Sequence, residues 1–171
     1  MSGDLSKTQR KRAIRDVVAH LAAFPREYSA LESAMRAFGD DFDLVAFKKA
    51  FDTVDDMTAY NRAQAVERAL GRVQNYIAEL ARNGVTLAAF DRVGTSGSEA
   101  ERAFEVLRNE KIIPATLCRK LRRAHNARRM IEHFYIDSAA GDVHRAAKLV
   151  HESSLQFLQH FRPWIEPLLS E

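Results

Sequence analysis

The sequence predicts an all-α fold, and three observations point to it. Apolar residues recur at helical spacing along nearly the whole chain. No stretch alternates as a half-buried strand would. Capping residues or breakers stand where the periodic runs begin and end. The chain has 171 residues, 46% hydrophobic and 29% charged, enough for a sizeable core without disulfides or metals.

Ile14, Val17, Val18 and Leu21 predict a first helix from about residue 5 to Ala23, stopping before Pro25. Tyr28, Leu31, Met35 and Phe38 predict a short second helix, closed by Gly39 and the Asp40-Asp41 turn. Asp43 caps a third, in which Leu44, Phe47 and Phe51 share a face. Asp55 or Asp56 caps a long fourth helix, with Gly84 as the glycine that ends it. Its residues Val66, Leu70, Val73, Ile77 and Leu80 step by 4, 3, 4 and 3, a seam suited to lengthwise packing on another helix.

Residues 85–97 contain Gly94, Ser96 and Gly97 and read as the main loop. Ser98 caps a short helix through Leu107, and Pro114 opens the next, which runs to about Ile136. The last helix starts near Asp142 and carries Val143, Ala147, Val150, Phe157, Phe161, Trp164 and Leu168, with Pro163 expected to kink or end it. These elements predict an antiparallel helical bundle.

The net charge of +3 falls well short of a dedicated duplex binder. One cysteine, Cys118, excludes an internal disulfide and suits a reducing compartment. The charged N-terminus has no apolar signal region, and no run reaches the roughly 20 apolar residues of a bilayer span. The expectation is a cytoplasmic protein with no membrane partner.

Basic residues gather at Lys7, Arg10, Lys11, Arg12 and Arg15, and again at Arg119, Lys120, Arg122, Arg123, Arg128 and Arg129. Either group could be a solvated helix face. The second holds an anomaly, because the core seam of the Pro114 helix reads Leu117, Leu121, Ala124, Arg128, Ile131, Tyr135. An arginine thus occupies a position patterned for an apolar side chain. Burying it unpaired costs several kcal/mol, so it must find a partner, line a cleft or interface, or snorkel at the bundle edge.

His133 follows Arg128 by five residues, about 140° around the helix. A straight helix does not aim both side chains at one point. They can converge if the helix loosens near its end, or if two chains each supply part of the site.

Arg128 to Tyr135 (RRMIEHFY) fits the pattern arginine, four residues, histidine, one residue, tyrosine. This resembles the active-site motif of HEPN-superfamily ribonucleases, in particular the HepT-like toxins encoded beside a minimal nucleotidyltransferase antitoxin. Ala65 to Leu70 (AVERAL) resembles the start of that family's long second helix, and Lys111 to Pro114 (KIIP) its lead-in to the motif helix. The resemblance covers roughly residues 30 to 168, leaving residues 1–28 as an N-terminal helical extension and 29–171 as the HEPN-like bundle domain. Arg129 is a departure, since a small polar residue is common there. It is a rival to Arg128 in standing i,i+4 to His133.

The resemblance implies a toxin that cleaves RNA as a homodimer or higher homo-oligomer, with Arg128 and His133 catalytic at the dimer interface. It implies that Tyr135 is the hydroxyl a nucleotidyltransferase-type antitoxin adenylylates. Arg122, Arg123 and Arg129 are candidate RNA-binding residues.

The residue types suit metal-free RNA cleavage. Histidine moves a proton near neutral pH, and arginine offers a bidentate fork to the phosphorane oxygens. No cofactor is expected. Six histidines are present, none of them paired at i,i+3 or i,i+4, and no glycine-rich phosphate loop occurs. The rival reading is a non-catalytic HEPN-like module that binds a nucleotidyltransferase or its nucleotide.

Overall fold

The computed structural model describes residues 6–90, 97–133 and 139–170, with backbone alone at 132 and 133. The chain forms α1 (Lys7–Arg36), α2 (Leu44–Phe51), α3 (Met57–Leu87), α4 (Glu99–Asn109), α5 (Ala115–His133) and α6 (Ala140–Leu169), with no strand among the described residues. It is an all-α helical bundle.

The helix starts follow from local chemistry. Ser6 and Gln9 form a capping box at α1, as do Ser98 and Glu101 at α4. Asp43 accepts from the Ala46 N–H at 2.6 Å, and Asp56 accepts from the Ala59 N–H at 3.0 Å. Pro114 stands just before α5, and its carbonyl accepts from the Cys118 N–H at 3.0 Å.

Proline punctuates less than its chemistry suggests. The two periodic runs on either side of Pro25 are a single helix, and residue 28 lies inside it. Pro163 and Pro167 likewise lie within α6. All three are exposed, so each ring, with the donor it lacks, lies on the outer face of its helix. The buried stripe Val17, Phe24, Tyr28, Leu31 runs straight past Pro25 and holds α1 together.

α3 is the central helix and touches every other one. Its seam Val66, Leu70, Val73, Ile77 and Leu80 is buried throughout. α1 lies antiparallel along it, since His20 meets Tyr76 edge to face while Glu27 reaches Arg72. α1 is also antiparallel to α6, bonding through Tyr28 to the His151 carbonyl at 3.3 Å and through Arg10 to the Leu168 carbonyl at 3.5 Å.

Gly84 does not end α3, which continues to Leu87. It is buried against Phe161 and Trp164 of α6, where only a residue without a side chain lets the two helices approach. Gly39 (φ 94°) and Phe42 (φ 51°) take the left-handed backbone in the turn after α1. The Phe42 ring stacks on His144 at 4.4 Å between centroids, and its carbonyl lies 2.6 Å from His144 Nε2, which holds the turn on α6. Among the described residues, no helix is long and apolar enough to cross a membrane.

Candidate functional site

α5 presents Leu117, Leu121, Ala124 and Ile131 to the core, each buried as the seam predicts. Arg128, the odd member of that seam, is half-buried. It lines an open cleft between α5 and α3, together with Glu67, Arg68, Leu70, Gly71, Arg72, Asn75 and Ile131. A place on a cleft wall is one of the fates open to a seam arginine, and Arg128 takes it.

Leu70 and Ile131 give the cleft an apolar floor, and Gly71 leaves it open, since a Cβ there would meet nothing within 4 Å. The rim is cationic, with Arg68 and Arg72 from α3 facing Arg128 from α5. Arg68, Arg72 and Asn75 are spaced i, i+4, i+7 and share a strip about 60° wide on α3. Arg68 donates to the Gln64 carbonyl at 3.3 Å, and Arg72 lies 3.8 Å from the buried Glu27 carboxylate.

Among the described residues of the lining, Glu67 is acidic. Burial pushes its carboxyl above the usual carboxylate range, and the neighbouring Arg68 offsets this only in part.

The other residues singled out from sequence lie elsewhere or outside the description. Arg122 turns to α4, where it bonds Glu105 at 2.7 Å and approaches Glu101 at 3.8 Å. Arg123 and Arg129 are exposed on α5 and do not line the cleft. His133 is the last residue of α5, but its imidazole lies outside the described residues, as does all of Tyr135.

Arg68, Arg72 and Asn75 were not picked out by pattern, because on their own helix they read as a solvated face. Their place on the cleft comes from the passage of α5 opposite them, which no local signal reveals.

The junction of α4 and α5 is a separate polar cluster. Burial opposes charge on Glu101. Hydrogen bonds from the Ser98 N–H at 2.9 Å, Asn126 at 3.2 Å and the Ser98 side chain, with Arg122 nearby, outweigh that and hold its carboxyl below the usual range. His125, buried beside it, places Nε2 3.1 Å from Ser98 Oγ and ties α5 to the start of α4. Burial and the neighbouring Glu105 push the Cys118 thiol up to about 11, so it packs as a thiol and offers no thiolate. Among the described residues, no three His, Cys, Asp or Glu side chains gather as a metal site requires.

Comparison of the chain with protein-family models, with characterised proteins and with solved structures finds no match.

Proposed function

We propose that this protein is a metal-independent endoribonuclease of the HEPN type, the toxin of a toxin–antitoxin pair, acting as a homodimer. The observation that carries the reading is the place of Arg128. A seam position patterned for an apolar side chain holds an arginine on the wall of a cationic cleft, on the same helix as His133 and in the motif spacing.

In the proposed reaction the 2′-oxygen attacks the adjacent phosphorus while the bond from phosphorus to the 5′-oxygen breaks. The products are a 2′,3′-cyclic phosphate and a free 5′-hydroxyl. Arg128 would hold the phosphorane oxygens, and His133 would move a proton at the 2′- or 5′-oxygen. Because five residues turn about 140° on a helix, the arginine and histidine serving one phosphate would come from a site completed by the second subunit. A nucleotidyltransferase-type partner would silence the site, with adenylylation of Tyr135 as the proposed means.

The test is cleavage of single-stranded RNA by the purified chain in EDTA. Arg128→Ala and His133→Ala should each lower the rate by about 10²–10⁴-fold, and a 2′-deoxy nucleotide at the cleavage position should block the reaction. Full activity of both variants in EDTA would end this reading. A chain that is harmless when expressed alone and cuts no RNA would instead favour a non-catalytic module that binds a nucleotidyltransferase.

A further inference from the structure

The two walls of the α3–α5 cleft differ in kind. Among the described residues α5 contributes the cation Arg128, whereas α3 contributes a strip in which Arg68, Arg72 and Asn75 succeed one another along the axis. From residue 68 to residue 75 the helix rises about 10 Å, which matches roughly three phosphates at the rise of a stacked strand. Arg68 and Arg72 are exposed, so their guanidinium groups reach ligand without first leaving a core.

We infer that α3 is the strand-binding wall of the site, with Arg68 and Arg72 holding phosphates of single-stranded RNA that flank the phosphate at Arg128. The inference rests on the ribonuclease reading for the choice of RNA, but the cleft geometry stands without it.

Arg68 and Arg72 form one row along α3, which suits one stacked strand rather than the two backbones of a duplex. Contacts of guanidinium with phosphate carry no base information, so the strand is held without sequence preference. Gly71, with nothing within 4 Å of where a Cβ would stand, leaves room for a base or ribose between the two arginines.

The experiment is fluorescence anisotropy of a 2′-O-methyl oligoribonucleotide about ten nucleotides long, which binds but cannot be cleaved. It is titrated with the full chain at several salt concentrations. Arg68→Ala and Arg72→Ala should each weaken binding about tenfold, and each should reduce the slope of log affinity against log salt by about 0.7. Arg12→Ala, a distant exposed arginine on α1, should change neither.

Removing Arg72 leaves the buried Glu27 without that neighbour, so Arg68→Glu is the second variant. It leaves the Glu27 pair intact and should abolish binding, while the cation lost beside part-buried Glu67 lowers the thermal midpoint by only a few degrees. Unaltered affinity and slope in the Arg68 and Arg72 variants, with cleavage still dependent on Arg128 and His133, would overturn the inference and leave the ribonuclease reading intact. Binding that needs Arg68 and Arg72 in a chain that cuts no RNA would uphold the inference and remove the ribonuclease reading. Failure of the unaltered chain to bind the oligonucleotide would overturn it outright.

Discussion

Phe161 lies so close over Gly84 that a Cβ on the glycine would stand 2.7 Å from its Cε2 and 2.9 Å from its Cζ, with Trp164 Cζ3 at 3.0 Å. Phe161 is fully buried and stacked on Phe157 at 4.9 Å, so it cannot swing aside. Gly84→Ala should therefore destabilise the protein by about 1–3 kcal/mol despite the better helix propensity of alanine. Chemical unfolding read by circular dichroism measures this, and a stabilised variant would show that α6 yields easily.

Gly71 gives the opposite prediction on the same helix. A Cβ there meets nothing within 4 Å, so Gly71→Ala should raise stability by about 0.5–1 kcal/mol. Gly71→Trp should fold but fill the cleft, and cleavage of RNA should fall with it. Paired unfolding curves and cleavage assays distinguish these effects. Undiminished cleavage by the tryptophan variant would place the reaction elsewhere.

These two glycines show what the pattern of residues conveys and what it withholds. Asp43, Asp56 and Ser98 cap helices as their residue types foretell, and the α3 seam is buried from Val66 to Leu80. Such features are local and can be read from neighbours in sequence. A helix-ending role for Gly84 follows from conformational preference alone, yet its actual role depends on a phenylalanine 77 residues away. Pro25 misleads for a related reason. A proline inside a helix costs about 3 kcal/mol for the lost hydrogen bond and the ring clash together, while each large side chain buried on either side of it contributes roughly 1.5–3 kcal/mol. Arg128 could be recognised because it breaks a pattern, whereas Arg68 and Arg72 break none.

On the proposed function Glu67 would oppose a polyanion in the α3–α5 cleft, so Glu67→Gln should tighten binding of the uncleavable oligonucleotide by a few-fold at neutral pH, on the order of 0.5 kcal/mol. Because its carboxyl sits above the usual range, protonation neutralises it on mild acidification. The difference between variant and unaltered chain should then vanish as pH falls through that raised value. A difference that stays constant with pH would show that Glu67 acts by shape and not by charge.

Tyr28 governs behaviour at the other extreme. Burial first, and Glu32 second, push its hydroxyl from 10.0 up to about 12. A raised folded value means that the neutral form is the one the fold accommodates. Stability is whole below pH 10 and is lost as pH climbs from there towards 12. Tyr28→Phe lacks the bond to the His151 carbonyl and should start about 1 kcal/mol lower, but this phase of alkaline loss should disappear. Urea midpoints across that range provide the measurement, and an unchanged alkaline slope would assign the loss to other groups.

The unbroken course of α1 past Pro25 bears on how the molecule is handled. Ala13, Val17, Phe24 and Tyr28 all lie in the stretch before residue 29 and are buried. A fragment beginning at residue 29 would start partway along a helix and expose the greasy flank of α3 that those side chains cover. It would also release Arg72 from Glu27. Such a fragment would be prone to aggregate on expression, and its failure to cut RNA would reveal nothing about the cleft.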